Sequence, residues 1–243
     1  MNIVQGSTVN EDRLIKGIQA ATGALVDGEI GAQTLSDIAC CLGAECFPLT
    51  LQIYGAPVII APNIVPFAAK GKSASRFTNC MSGSFLSGTT PWSILIQDGY
   101  TIHGQSCHNE DGKPESVIYR LAGGTFGIAR ARNVSELPEG IRWAVGGLGL
   151  LDNYNPTAEG FSGRFSDVLR RTNHTMLGVK NGYCYMVYCA NKTAAEVNKF
   201  ARQLGLQIAI MLDGGHVAAI NGGESFARIN TTQRQYYMIQ GEK

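Results

Sequence analysis

Apolar and polar positions along the chain follow two different periods. Up to Leu42 the spacing is helical: Leu14, Ile15, Ile18 and Ala21 share one face, Asn10 stands ahead as an N-cap, and Gly23 ends the element. The loop Val26-Asp27-Gly28-Glu29-Ile30-Gly31 leads to a second short helix carrying Thr34, Leu35, Ile38 and Ala39, stopped by Gly43. From about Phe47 the period drops to two. Residues 49–53 alternate, residues 57–62 form a short β-branched run, and Ser93-Ile94-Leu95-Ile96-Gln97 meets the turn signal Asp98-Gly99 before Tyr100-Thr101-Ile102 returns as a hairpin. Further strands are expected at 117–121, 125–129, 143–145 and 182–189, and the Asn-, Pro- and Gly-rich stretch 152–163 reads as an exposed loop.

One late helix is sharply marked. Thr193-Ala194-Ala195-Glu196 is a capping box, with Ala194, Val197, Ala201 and Leu204 as the buried stripe and Gly205 as the stop. The apolar run 206–212 follows directly and has few polar side chains, so it is expected to be a central strand covered on both faces. Asp213-Gly214-Gly215 therefore leaves the end of a rigid strand, a good place to hold reactive groups. The pattern as a whole predicts an α+β protein: a small N-terminal helical module over 1–43, then a mixed-sheet α+β domain over 44–243.

Composition narrows the function classes. The 243 residues carry a formal net charge of +1 with 16% charged positions, so no basic footprint for nucleic acid or an anionic membrane is present and an anionic substrate must be met locally. The most apolar stretch, Val58-Ile59-Ile60-Ala61, is too short to span a bilayer. The start, Met1-Asn2-Ile3-Val4-Gln5-Gly6, has neither a basic cluster nor an apolar run, so no secretory signal is expected and synthesis in a cytoplasm is. Seven cysteines form no CxxC pair and are read as mostly reduced. Cys107-His108-Asn109-Glu110-Asp111 matches no common zinc spacing and reads as a solvated polar loop. Gly123-Gly124 and Gly146-Gly147 lack the strand–GxGxxG–helix setting of a dinucleotide site. Trp92 and Trp143 read as core before sugar platforms.

The carboxyl-terminal order of elements resembles the phosphodiester glycosidase family. The resemblance runs from His174-Thr175-Met176-Leu177-Gly178-Val179 through Lys180-Asn181-Gly182 to Leu212-Asp213-Gly214-Gly215. Upstream, Asn79 to Phe85, Pro91 with the Asp98-Gly99 hairpin, and Ala144-Val145-Gly146-Gly147-Leu148-Gly149-Leu150-Leu151 are similar to further family segments. It implies hydrolysis of a sugar-1-phosphate diester, with Asp213, Thr175 and His216 as catalytic residues. Asp213 is a general base, a positioner of sugar hydroxyls or a ligand for a divalent cation; no cofactor beyond such a cation is implied. Gly214 and Gly215 offer a backbone nest for phosphate oxygens, and Asn79, His103, Arg171 and His174 are further substrate contacts. Asn79 reads equally as a turn-former and His103 as a structural histidine. Arg170 and Arg171 are adjacent, so at most one is expected in the site. His216 stands where the family has glycine and His174 where it has arginine. His216 could replace the missing hydroxyl as donor or acid, or signal altered or lost activity, and Arg170 and Arg171 stand close to His174.

Residues 18–35 are similar to the peptidoglycan-binding modules of cell-wall hydrolases. Together the two resemblances imply a bacterial or phage protein acting on cell-wall or capsular glycan, at the wall or in a virion. The competing readings are a wall-binding or virion protein that keeps the fold without turnover, and a hydrolase cutting glycan strands or peptide stems.

Overall fold

The chain divides into two units, Met1–Cys46 and Phe47–Lys243. The computed structural model describes residues 47–223 and 228–242, with Lys16 alone ahead of them; the expected helical module over 1–43 and its peptidoglycan-binding-like segment lie outside the described residues. In chain order the strands are β1 (Leu49–Ile53), β2 (Ala56–Ala61), β3 (Asn63–Ser73), β4 (Cys80–Ser82), β5 (Leu86–Ser87), β6 (Thr90–Pro91), β7 (Leu95–Gln97), β8 (Tyr100–His103) and β9 (Glu115–Leu121). There follow β10 (Phe126–Ala131), β11 (Ile141–Gly149), β12 (Thr172–Lys180), β13 (Tyr183–Lys192), β14 (Ile208–Gly214), β15 (Ile220–Asn221), β16 (Arg228–Ile229) and β17 (Arg234–Glu242), with the helix α1 (Ala194–Gln203) between β13 and β14.

The mixed-sheet α+β expectation is corrected: the described residues form a β-rich fold of seventeen strands, and every strand pairing among them is antiparallel. A ten-stranded sheet runs β1-β2-β13-β12-β14-β11-β7-β8, with β9 paired to β11 and β10 to β9, and a five-stranded sheet runs β16-β15-β4-β17-β3. The reason lies in the crossover. A strand, a capped helix and an apolar strand in succession imitate a parallel βαβ unit. Here β13 and β14 do run the same way, but β12 lies between them and pairs antiparallel with both.

Side chains of both sheets interdigitate in one core, where Ile64, Met81 and Ile239 of the smaller sheet join Trp143, Leu177, Met186 and Ile210 of the larger. Helix α1 buries Ala194, Val197, Phe200 and Ala201 and packs on β12, β13 and β14. These central strands are thus covered on both sides, which is why 209–212 can be wholly apolar and buried. The capping box has both halves: Thr193 accepts from the Glu196 N–H at 3.3 Å and Glu196 accepts from the Thr193 N–H at 2.7 Å. Gly205, at φ 65°, turns the chain out of the helix. The Asp98-Gly99 turn has positive φ at both residues (48° and 81°), as a tight two-residue hairpin requires. No described helix is long and apolar enough to cross a membrane.

Two sequence readings of loops are corrected. The stretch 152–163 sends Glu159 and Phe161 into the interior, and the 107–111 run buries Cys107 and His108. Their cover is aromatic: His108 lies 4.8 Å from Trp92, 5.0 Å from Phe161 and 4.4 Å from Phe165, centroid to centroid. The glycine-rich strand β11 has a related cause. A Cβ at Gly146 would meet the Glu115 carboxylate, and one at Gly149 would lie 2.8 Å from that of Glu159. Glycine at both places makes room for two buried carboxyl groups.

Candidate active site

The apolar run of β14 stops at Leu212, and Asp213 and Gly214 are its first half-buried residues after that run. Gly215, at φ 70°, then turns the chain into a short 3-10 turn that leaves His216 exposed. Next to this end, β12 is irregular against both neighbours: its register shifts against β13 between Thr172 and His174, and against β14 between His174 and Met176. Bulges re-aim side chains. Here the His174 ring comes to lie against Gly214, where a Cβ would sit 2.9 Å from its Nδ1 and 2.7 Å from the Asn173 carbonyl oxygen. Gly214 has φ −136°, open to any residue, so close approach alone demands glycine.

The loop is fixed from beneath. Thr175 is fully buried and its Oγ1 donates to the Asp213 carbonyl at 3.0 Å. Val217 offers its carbonyl to the Ser82 hydroxyl and the Gln235 amide, both at 2.8 Å. Thr175 is therefore a brace under the site and not part of its wall.

The cavity above has a volume of about 370 Å³. Phe85, Leu86, Trp92, Phe165, Val168 and Val217 form its apolar walls; Asp167, Arg170, Thr172, His174, Asp213 and His216 are its polar groups. Burial pushes the Asp213 carboxyl up to about 6, against the opposing pull of the Gly214 N–H, which donates to Oδ1 at 2.8 Å. Burial likewise holds His174 below the usual histidine range, only partly offset by the Arg170 and Lys192 carbonyls. A neutral ring donating from Nε2 to the Arg170 carbonyl (3.2 Å) carries its lone pair on Nδ1, which makes no hydrogen bond. Arg170 pairs with Asp167 at 3.1 Å, but both side chains are more than half exposed, so the pair is weak and the guanidinium is available to an anion.

Of the residues singled out in the sequence, the cavity brings together Asp213, Gly214, Gly215, His216 and His174. The others stand apart. Arg171 binds Glu196 at 2.6 Å and the Asn191 carbonyl at 2.8 Å, and its neighbour Arg170 lines the cavity instead. Asn79, at φ 53°, forms the turn before β4 and borders a separate hollow with Thr50 and Gly222. His103 lies in a second cavity with its Nδ1 3.1 Å from the Ser93 carbonyl. Phe165, Asp167 and Thr172 were not foreseen as walls, and Trp92, read as core before a sugar platform, lines the cavity. The available signal was Phe161 and Phe165, aromatic residues in a stretch of turn formers that need cover. Among the described residues no three His, Cys, Asp or Glu side chains gather as a metal-holding group; a divalent cation at this cavity would lean on Asp213, Asp167 and the oxygens of a bound phosphate.

Residues 75–225, more than half of the chain, match the family model described as phosphodiester glycosidase. Among solved structures, a hypothetical protein from Synechocystis is similar over 79% of this chain and 60% of its own, at 14% identity and a TM-score of 0.55. This chain thus spans less than two thirds of that relative. The catalytic domain of zebrafish N-acetylglucosamine-1-phosphodiester alpha-N-acetylglucosaminidase, in a form auto-inhibited by pro-peptide, is similar over 81% of this chain and 82% of its own, at 12% identity and a TM-score of 0.53. At such identities the likeness shows the fold. Comparison with curated proteins gives no match.

Proposed function

The chain belongs to the phosphodiester glycosidase family, and from that premise we propose that it hydrolyses a sugar-1-phosphate diester in the cavity around Asp213. The observation that carries the reading is the Asp213 carboxyl itself, held at the end of a buried strand, raised to about 6, and facing the same cavity as His174, Arg170 and His216. In the reaction, water adds to the anomeric carbon, the bond from that carbon to the phosphate oxygen breaks, and the products are a free sugar and a phosphomonoester. Positive charge builds on the sugar and negative charge on the departing phosphate. Ionised Asp213 suits the first, as base for the water or as counter-charge to the ring. His174, buried with its Nδ1 packed against Gly214, props the strand end that carries Asp213. The Gly214 N–H is already taken by the Asp213 carboxylate, so the phosphate oxygens fall to Arg170 and His216, with guanidinium well matched to phosphate. Phosphate is a good leaving group, and donors to its oxygens count for more than a strong acid.

Asp213→Asn tests the reading. Release of sugar from a soluble sugar-1-phosphodiester should fall by at least about a hundredfold with the circular dichroism spectrum unchanged; full activity in the folded variant would sink it. For the natural substrate we propose a phosphodiester-linked wall or capsular polymer of bacteria, met at the wall or from a virion. Support comes from residues 18–35, which lie outside the described residues. Mass spectrometry of walls incubated with the protein should show new phosphomonoester ends and free sugar. Wall binding without product would support a binding protein that keeps the fold, and soluble muropeptides a different hydrolase.

A further inference from the structure

Two carboxylates and one guanidinium face the candidate cavity: among the described residues lining it, Asp167 and Asp213 stand beside Arg170. We propose that Asp167 makes this site favour a singly charged phosphodiester and expel the doubly charged phosphomonoester that cleavage leaves behind. The inference rests on the hydrolase reading and concerns how that site is cleared of its product.

The position of Asp167 is set by the fold. The 3-10 turn Gly163–Leu169 carries it, and in the same turn the Phe165 ring packs 5.3 Å from Trp92 and 4.4 Å from His108. The Phe165 N–H donates to the Ser162 carbonyl at 3.1 Å, and the Ser166 hydroxyl donates to that of Gly163 at 2.8 Å. At the far end the Arg170 N–H donates to the Asp167 carbonyl at 3.2 Å, and the Arg170 carbonyl lies 3.2 Å from Nε2 of the buried His174 ring. An aromatic anchor on one side and His174 on the other thus hold the two charged residues at the cavity, as a selective site requires. Asp167 engages Arg170 through one nitrogen: Nη1 donates to Oδ2 at 3.1 Å and to the Asp167 carbonyl at 3.3 Å. Both bonds leave the guanidinium away from its Nε–Nη2 edge, the edge that grips a phosphate bidentately. Asp167 therefore lies beside the phosphate partner without blocking it.

Charge then separates substrate from product. A phosphodiester carries one negative charge, whereas a phosphomonoester, with a second pKa of about 6, approaches two near neutral pH. Arg170 matches the single charge of the diester. The second charge of the product finds no further Lys or Arg among the described lining residues, and it meets the carboxylates of Asp167 and Asp213 instead. Of the other titratable groups lining the cavity, His174 is held toward its neutral form by burial and His216 is exposed. Repulsion between like charges grows in proportion to the charge on the ligand, so Asp167 weakens the binding of product more than that of substrate.

Equilibrium binding at about pH 7.5 tests the assignment without relying on turnover. The probes are phenyl phosphate, close to doubly charged there, and methyl phenyl phosphate, singly charged, each titrated into the full chain and followed by protein NMR. The wild-type protein should bind the singly charged probe more tightly. In Asp167→Asn the ratio of the two dissociation constants should shift at least about fivefold toward the doubly charged probe. In Asp167→Glu, which keeps the charge, the ratio should stay within about twofold of wild type. An unmoved ratio in Asp167→Asn, or a Glu variant that behaves like the Asn variant, overturns the proposal. So does a wild-type protein that prefers the doubly charged probe or binds neither. Turnover is read separately. Where sugar-1-phosphodiesters are cleaved, inhibition by added phosphomonoester product should strengthen at least about fivefold in Asp167→Asn, and unchanged inhibition counts against the role. Where the wild type cleaves none, the hydrolase reading fails and the binding ratio alone decides the charge selection.

Discussion

Asp213 sits between two opposed influences: burial favours its neutral form, and the Gly214 N–H on Oδ1 favours the ionised one. Burial wins, and two measurements follow from a folded-state value of about 6 against an ordinary 3.8. If the ionised carboxylate does the chemistry, kcat/KM rises as pH passes through about 6 and levels above it; a profile flat from about pH 5 to 8 would exclude that role. The stability effect has the opposite direction. A carboxyl whose pKa is raised by folding stabilises the fold below its unfolded value, and that contribution is lost as pH rises through the folded value. At neutral pH, Asp213→Asn should therefore remove activity and stabilise the fold, by up to about 3 kcal/mol, with the gain vanishing below about pH 4. Urea titrations at both pH values check this. Gly214→Ala acts by contact, since its Cβ would press on the Asn173 carbonyl and the His174 ring. It should lower kcat/KM at least about tenfold while leaving the spectrum of a folded β-protein. At this scale the sequence was legible where the motif is a continuous string, as in Asp213 to His216. It was silent on which of two adjacent arginines faces the cavity, because that is set where the 3-10 turn Gly163–Leu169 meets β12: Arg170 lines the wall and Arg171 turns to Glu196.

Elements defined by neighbours along the chain could be read in advance, and those defined by distant partners could not. The β7–β8 hairpin and the capped helix α1 depend on local rules, namely a two-residue turn with positive φ and a Thr–Glu capping box. The direction of β14 relative to its neighbour depends on β12, which precedes it by many residues, and no local pattern encodes which strand fills the gap under a crossover. Nor does polar content identify buried carboxylates: Glu115 and Glu159 lie in stretches that look half-exposed, yet both are fully buried. Their trace is in β11 as glycine. Gly146→Ala should cost about 1–3 kcal/mol, because its Cβ would collide with the Glu115 carboxyl and with the backbone of Ile94. Gly123→Ala is the control. Its Cβ would meet nothing within 4 Å, and the change should stay within about 0.5 kcal/mol. Equal losses in denaturant titrations of the two variants would refute the link between the glycine-rich strand and the buried acid.

Among the described residues the buried acids act in one direction. Burial pushes Glu115 up to about 8, raises Glu159 and brings Asp213 to about 6. Each holds its proton more tightly folded than unfolded, so the fold loses stability as pH climbs from about 4.5 through about 8. Glu196 and Glu136 work the other way. Hydrogen bonds from Thr193 and the Arg171 guanidinium draw Glu196 down to about 2, and hydrogen bonds from Arg132 lower Glu136. Their stabilisation is present above the ordinary carboxylate range and is lost as pH falls through their folded values. Both are surface groups, screened by solvent and salt, so the three buried carboxyls dominate. The stability maximum is therefore expected on the acid side of neutrality, near about pH 5, with the thermal midpoint falling steadily to about pH 8.5. Of the buried acids only Asp213 lines the proposed cavity, and its ionisation would drive turnover while it weakens the fold. The protein should thus be most active at a pH above that of its greatest stability. Thermal midpoints and kcat/KM measured across the same buffers check this, and a midpoint that rises between about pH 5.5 and 8.5 would contradict it.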